Sequence, residues 1–458
     1  MKRAVPWVLA VLLVVAGLSY ALTRGPKQRQ PLPLTIHFTC DLRGRLVPCG
    51  CFSGQMGGLT RIATLLEGEN QPGVIRVDVG DAIAGTADYE VIQYRYILRA
   101  LGELGFAAAN IGHREAALGA AQLRMIERES PVPFVSANLL DAATGSPLFR
   151  SHTVVERAGR RIALIGVLEP KGAGEMPGEG LRIEKIETSL GRLLPQLKGK
   201  ADAIILLTFA DEEKLRAIAR EFYEVDVILG GKVSQPAQRL ESENRSQILY
   251  VTNQSRALGT FKATLTLPSK LERPAGEAIL VSDRIPQAER IVALNREYRD
   301  EIRRTKLHVD EPEKLTEDIV PGVKAGASYV GSASCVTCHA TAGQSWHNTR
   351  HAEAYRSLIA TRADADPNCI GCHTIGFGTV SGYRREYGET KLTNVGCESC
   401  HGPGSTHVAS RQKGQLDPGK MRALGAGDCL KCHHGEFSRP FVWEEFWPVV
   451  QHGKESAK

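Results

Sequence analysis

A chain of 458 residues with 42% hydrophobic and 24% charged content has the make-up of globular protein and the length for two or three domains. Its net charge of +6 comes without any long block of like charges, which argues against nucleic acid as a partner. Three of the eleven cysteines, Cys40, Cys49 and Cys51, lie near the start; the other eight lie after residue 334 in four pairs.

In chain order, the first segment reads "MKRAVPWVLAVLLVVAGLSYALTRG". Lys2 and Arg3 precede an uncharged, mostly apolar run from Ala4 to Ala21, with Arg24 and Lys27 after it. Residues 1–30 read as a cleaved export signal, with small residues Ser19 and Ala21 before a cut, or as a single-span membrane anchor. Both readings put the mature chain outside the cytoplasmic membrane, periplasmic or extracytoplasmic, secreted or held by its N-terminal helix.

Residues 33–267 alternate short apolar runs with helical patterns. "LTIHFT", "VIRVDV", "PFVSAN", "AIILLTF", "DVILGG" and "ILYVTN" are predicted strands bounded by Gly, Asp or Asn. "YEVIQYRYILRALGELG" and "EEKLRAIAREF" carry apolar residues at helical spacing. "HTVVERAGRRIALIGV" reads as a hairpin turning at Ala158-Gly159. The fold class is therefore α/β, with sheets inside and helices outside. Residues 268–326 are rich in charge, hold one convincing helix, "AERIVALNREYRDEIRRTK", and read as a charged helical linker.

The character changes for residues 327–458, which carry eight of the eleven cysteines and nine of the thirteen histidines. Four segments share one spacing: "CVTCH" (Cys335, Cys338, His339), "CIGCH" (Cys369, Cys372, His373), "CESCH" (Cys397, Cys400, His401) and "CLKCH" (Cys429, Cys432, His433). Two thiols three residues apart can each form a thioether to one haem, and the histidine after the second lies under the iron as proximal ligand. Zinc ribbons or disulfides do not require a histidine after every pair. Four covalently attached haem c groups are expected. Roughly 33 residues per haem is too little peptide to bury each macrocycle separately, so the haems must pack together as the core of a mostly α domain. Met421 is the region's lone methionine, so the sixth iron ligands fall mainly to His347, His351, His407, His434 and His452.

"CVTCHATAGQSWHNTRHAEAYRSL", "DPNCIGCHTIGFG" and "LTNVGCESCHGPGSTH" resemble the tetrahaem cytochrome c-554 family. The resemblance implies distal ligands at His351, His407 and His452 and an open axial position on the haem at His373. His347 either closes such a site or is a surface residue.

The N-terminal segments "DLRGRLVPCGCFSGQMGGLTRIATLL", "VDVGDAIAG", "NIGHREAALG", "RRIALIGVLEP" and "DVILGGKVSQP" resemble, in that order, calcineurin-like metallophosphatases of the 5′-nucleotidase type. The resemblance implies a layered α/β/β/α sandwich. It also implies two metal ions gripped by Asp-x-His, Gly-Asp, Gly-Asn-His-Asp/Glu, a lone His after a strand and Gly-His-x-His. This chain keeps Asp41 and Asp81. Arg43, Arg114 and Phe209 replace histidines, His113 replaces the asparagine, and Lys232 and Ser234 replace both histidines of the last motif. Fixed cations repel metal ions and can pair with the remaining carboxylates, so no dimetal centre is expected. Asp41, Arg43, Asp81, His113, Arg114 and Lys232 form either a relic metal pocket or an anion pocket. Cys40, Cys49 and Cys51 form a disulfide pair, a redox-active thiol site or a soft-metal site.

The expected function is electron transfer between periplasmic or membrane redox proteins by an exported tetrahaem cytochrome, with the N-terminal domain a scaffold or docking module. The alternatives are small-molecule redox chemistry at an open haem and phosphoester or nucleotide hydrolysis in the N-terminal domain.

Overall fold

The computed structural model describes residues 30–48, 55–170, 176–252, 254–266, 270–321, 323–415, 421, 424–434 and 438–453. The export or anchor segment, apart from residue 30, lies outside them, as do Cys49 and Cys51. Among the described residues no helix is long and apolar enough to cross a membrane.

Two six-stranded sheets form the centre of the N-terminal domain. One runs Lys270–Leu280 (β14), Ala257–Thr266 (β13), Leu32–Thr39 (β1), Val74–Asp78 (β2), Ala108–Asn110 (β3) and Phe134–Val135 (β4). The other runs Glu241–Glu243 (β11), Ser246–Thr252 (β12), Val227–Val233 (β10), Ala203–Phe209 (β9), Arg160–Leu168 (β7) and His152–Arg157 (β6). Leu139–Asp141 (β5) and Leu181–Ile183 (β8) pair separately. In each sheet four neighbouring strands include the parallel pairs (β1–β2–β3–β4 and β12–β10–β9–β7), and antiparallel strands close the edges. Strands buried on both faces read as continuous apolar runs; all seven residues of β9, "AIILLTF", are buried. Asn110 fastens the two sheets together, its Nδ2 donating to the carbonyls of Val79, Val167 and Leu207 at 2.9 to 3.0 Å.

One consequence of this packing is a pH dependence. His37 on β1 is buried, faces Thr260 across the β1–β13 ladder, and has Nδ1 3.0 Å from the Thr260 hydroxyl. Burial pushes its pKa down to about 4. The ring is therefore neutral in the fold, and its contribution is complete above its ordinary pKa of about 6.5 and lost as the pH falls from there towards 4. Thermal melts at pH 7 and pH 4 are expected to cost the wild type about 3 kcal/mol more than a His37→Gln variant. Equal losses in the two proteins would remove His37 as the cause. Asp78 and Glu115, which burial raises to about 7, work in the opposite direction but are common to both proteins.

The segment read from sequence as a linker behaves differently in the structure. Its first part is β14, paired along β13. Its helix, Glu289–Arg304, buries Ile291, Leu294, Tyr298 and Ile302 in the N-terminal core. The spacing of those four apolar residues makes one sticky face on an otherwise charged helix, and that face packs on helix Asp88–Glu103, where Tyr96 and Tyr298 meet edge to face at 6.0 Å. The opposite side of the same helix meets the C-terminal region, through a bidentate Arg303–Asp364 pair and an Asp300–Arg362 pair at 2.7 Å.

The C-terminal region is short helices joined by turns. Its helices include Ala340–His347, Ala354–Thr361, Pro367–His373, Cys397–His401, Ser405–Gln412 and Trp443–Val450. Ala354–Thr361, Pro367–His373 and the turns after them supply a buried hydrophobic cluster of Tyr355, Leu358, Ala363, Ile370, Ile375, Tyr383 and Leu392. Those seven side chains are a small core beside that of the N-terminal domain.

Candidate functional site

In open parallel sheets, sites form beyond the carboxyl ends of the strands. Asp41 follows β1, Asp81 follows β2 and His113 follows β3; Phe209 ends β9 and Lys232 lies near the end of β10. Asp41, Arg43, Asp81 and Lys232 all adopt left-handed backbone, with φ of 52°, 47°, 57° and 67°. For residues other than glycine this costs on the order of 1–3 kcal/mol each, and such strain gathers at functional sites. The sharp turns of a ligand site are present although its histidines are not.

Each position is occupied by an internal pairing. Arg43 grips Asp41 with both oxygens, Nε to Oδ1 at 2.7 Å and Nη2 to Oδ2 at 2.8 Å. The Arg114 amide donates to Asp81 Oδ1 at 2.8 Å, while its guanidinium lies 3.6 Å from Oδ2 and donates to the Ala84 carbonyl at 2.6 Å. Lys232 stands 3.6 Å from Glu169, whose backbone carbonyl accepts from His113 Nε2 at 2.8 Å. Phe209 meets the His113 ring edge to face at 5.3 Å. Beneath them Glu115 accepts from the amides of Asp81, Ile83 and Gly112. Burial, with Glu115 and Asp41 nearby, pushes Asp81 well above the usual carboxylate range.

These residues do not fit a pair of metal ions. Both Asp41 oxygens are taken, three cations stand among the carboxylates, and among the described residues no three His, Cys, Asp or Glu side chains converge as a metal site. The double glycine before Lys232 has a steric cause: a Cβ on Gly231 would lie 1.8 Å from the Cys40 sulfur. Cys40 is buried, and burial among carboxylates pushes its thiol well up, which disfavours a reactive thiolate at this position.

The four Cys-x-x-Cys-His segments also converge. Asp366 caps helix Pro367–His373, accepting from the Asn368 amide at 3.0 Å, with Pro367 in the first turn, where proline is favoured. Gly402, at φ 83°, ends helix Cys397–His401. Glu398, inside "CESCH", is buried and accepts from the amides of Val330, Gly331 and Gly404, tying the third segment to the stretch before the first. The Cys335 and Cys397 side chains are within hydrogen-bond reach of each other, as are Cys372 and Cys432.

Six of the histidines face one another in pairs. The ring centroids of His339 and His407 are 6.2 Å apart, those of His351 and His433 6.0 Å, and those of His401 and His452 5.9 Å. A metal atom bound by two opposed imidazoles through bonds of about 2 Å needs a gap of this size. His373 differs: its Nδ1 is 2.7 Å from the Ala354 carbonyl, and no histidine ring among the described residues is stacked against it. His347 is exposed beside Trp346. A cavity of about 1910 Å³ receives Cys369, Cys372, His373, Cys400, Cys432 and His433. That volume exceeds the roughly 300–1,000 Å³ of a site for one small molecule. Phe377, Phe441, Phe446 and Trp447 add apolar wall. The donors and the space fit several haem groups.

Sequence reasoning did not single out Glu398, Asp366, Glu169 or Glu115 for a role. A carboxylate between two motif cysteines was the available signal for Glu398, and Asp-Pro before a motif helix was the signal for Asp366.

Comparisons with known proteins divide the chain in the same way. Residues 334–402 match the family "Cytochrome c554 and c-prime", a span that holds the first three motifs and ends before the fourth. Cytochrome c-554 of Nitrosomonas europaea is 39% identical over 138 residues, which cover 24% of this chain and 59% of that protein. A 2′,3′-cyclic-nucleotide 2′-phosphodiesterase/3′-nucleotidase of Yersinia enterocolitica is 29% identical over 149 residues, 30% of this chain and 23% of that protein. The chain thus spans less than two thirds of either relative. The crystal structure of a 5′-nucleotidase precursor from Thermus thermophilus superposes with a TM-score of 0.52 at 19% identity, covering 71% of this chain and 68% of that one. The N-terminal region is a metallophosphatase-like α/β domain, and the C-terminal region is a more helical one of the cytochrome c554 kind, which implies covalently bound haem c.

Proposed function

We propose that this chain, a metallophosphatase-like domain joined to a cytochrome c554-like one, is an extracytoplasmic tetrahaem electron-transfer protein whose N-terminal domain docks and supports the haem domain without hydrolysing phosphoesters. The observation that carries the reading is the set of three facing imidazole pairs beside four attachment motifs. Bound haem c supplies an iron that changes by one electron, and close-packed haems supply a path between redox proteins. In this reading the eight motif cysteines fix the groups. His339, His373, His401 and His433 hold the irons from one side, and His407, His452 and His351 hold three of them from the other. The Asp41–Arg43 pair and the Lys232 ammonium keep metal ions out of the N-terminal pocket. Redox proteins of the periplasm or membrane are the partners.

A second reading has its own support. His373 has no facing imidazole among the described residues, so its iron would be the one able to take a small molecule.

One preparation tests both. The purified chain is expected to carry four haem irons and no stoichiometric further metal, and about a quarter of its reduced haem should respond to carbon monoxide. Fewer than four haems, or one to two extra metal ions per chain, would overturn the first reading. Haem wholly unresponsive to carbon monoxide would overturn the second.

A further inference from the structure

The three cations at the strand ends do not share one environment. Arg43 and Arg114 line the 1910 Å³ cavity that receives the haem motifs, and Lys232 does not; it lies against Glu169 at the end of β7. Arg43 commits Nε and Nη2 to Asp41, which leaves Nη1. Arg114 commits Nη1 to the Ala84 carbonyl, and its 3.6 Å approach to Asp81 is too long for a hydrogen bond. Their side chains are 33% and 38% exposed. Each guanidinium, with five donors in all, is thus anchored on one side while donors remain towards the cavity.

The motif nearest this wall can be traced through contacts. Arg114 holds the Ala84 carbonyl. The next residue, Gly85, lies under Glu90 of helix Asp88–Glu103, whose carboxylate also caps the Ala87 amide. Tyr89 on the same helix is close enough to Asp366 to feel its charge, and Asp366 caps the helix that carries Cys369, Cys372 and His373. Tyr298, from the neighbouring helix, is close to both Asp366 and Cys369. These contacts link the helix that carries Cys369, Cys372 and His373 to the wall that carries Arg114, and all three of those residues line the same cavity.

Every haem c brings two propionate carboxylates, and a carboxylate taken from water needs a cation or several hydrogen bonds. A guanidinium fork matches that shape. Several other cations on the cavity wall are in pairs of their own: Arg296 with Glu289, Arg356 with Glu353, Arg362 with Asp300 and Lys431 with Asp428. We propose that Arg114, with Arg43 beside it, forms a carboxylate-binding site in which the metallophosphatase-like domain holds a propionate of the haem attached at Cys369 and Cys372. The inference rests on the reading of Cys369–His373 as a haem site. It gives the lost metal histidines a purpose: the pocket that would place cations against a phosphate places fixed cations against a carboxylate of the neighbouring domain.

A fixed positive charge beside a haem favours the reduced state, which carries one more negative charge, and so raises its potential. The test is a spectroelectrochemical titration of the purified holoprotein. Arg114→Gln is the main variant, because Asp81 keeps the Arg114 backbone amide whatever the side chain. One haem midpoint potential should move negative in Arg114→Gln, recover most of that shift in Arg114→Lys, and stay in place in Lys232→Gln. Unmoved potentials in Arg114→Gln, or the same shift in Lys232→Gln, would overturn the proposal. So would an inorganic phosphate-induced spectral change that Arg114→Gln abolishes without moving any potential, since the site would then take a free oxyanion. Should Arg114→Gln fail to accumulate, Arg43→Gln removes the second cation of the proposed site, and a negative shift of one haem midpoint potential is then expected; its absence counts against the proposal. The haem count of the wild type separates the two levels: fewer than four haems fails the underlying reading, whereas four haems with no shift fails only this inference.

Discussion

Replacing all eight motif cysteines by serine is expected to unfold residues 328–453 while the N-terminal domain melts as before. The C-terminal region has a hydrophobic cluster of only seven buried residues beside a cavity of about 1910 Å³. Without haem that space must either stay dry or fill with water. Dry, it would cost tens of kcal/mol at about 24 cal/mol per Å³. Wet, it would expose Phe377, Phe441, Phe446 and Trp447. The dry cost exceeds the roughly 5–15 kcal/mol by which a domain is stable, and the wet cost, about 1.5–3 kcal/mol for each aromatic side chain exposed, is of the same size as that stability. The N-terminal domain has its own core, extending through helix Glu289–Arg304, and does not depend on the groups. Limited proteolysis should leave a resistant fragment ending after that helix, and far-UV circular dichroism should lose the short helices. A variant that kept a protease-resistant C-terminal region would show that haem is not its core.

Arg385→Ala is expected to cost about 3–5 kcal/mol, the range for removing one partner of a buried, hydrogen-bonded ion pair. The Arg385 side chain is 6% exposed. It donates to both oxygens of Asp310, at 2.9 and 2.5 Å, and to the carbonyls of Ile302, Thr305 and Ala365 at 2.9 to 3.0 Å. Two of those carbonyls belong to the end of helix Glu289–Arg304, where a cation also complements the helix dipole. One side chain thus joins the haem-bearing region to the N-terminal domain, and truncation leaves Asp310 and three carbonyls without it. Arg303→Ala, at the more exposed pair with Asp364, should cost no more than about 1 kcal/mol. Denaturant melts of the two variants followed through the haem absorbance provide the check; equal effects would mean that burial of Arg385 is not what matters. Acid should reproduce part of the loss. Burial raises the Asp310 pKa, but its hydrogen bonds from Arg385 and the Leu307 amide more than offset that, and the net shift is downward. Its contribution is present above the ordinary carboxylate pKa of about 3.9 and disappears as the pH falls through the lower folded value.

The same contacts explain what could and could not be read from the chain. The strands and the haem motifs were legible because their signals are local. A run such as "AIILLTF" is apolar whatever it packs on, and Cys-x-x-Cys-His places two thiols and an imidazole within one or two helical turns. That Arg43, Arg114 and Lys232 stand near strand ends was legible for the same reason. The core role of helix Glu289–Arg304 was not legible because the helix is charged on most of its surface. Only the packing of Tyr298 on Tyr96 reveals which stripe is buried.

By itself, then, the sequence determined that this protein has an α/β domain with Asp41, Arg43, Asp81 and Lys232 at or near its strand ends, followed by four Cys-x-x-Cys-His segments, because those properties reside in neighbouring residues. The tertiary structure alone decided which imidazoles face each other: His339 with His407, His351 with His433, and His401 with His452. It alone decided that Arg43 and Arg114 open onto the cavity lined by Cys369, Cys372 and His373 while Lys232 turns to Glu169. These are contacts between residues tens to hundreds of positions apart. Their geometry is fixed by how two sheets and one shared helix close around a space, which no local spacing encodes.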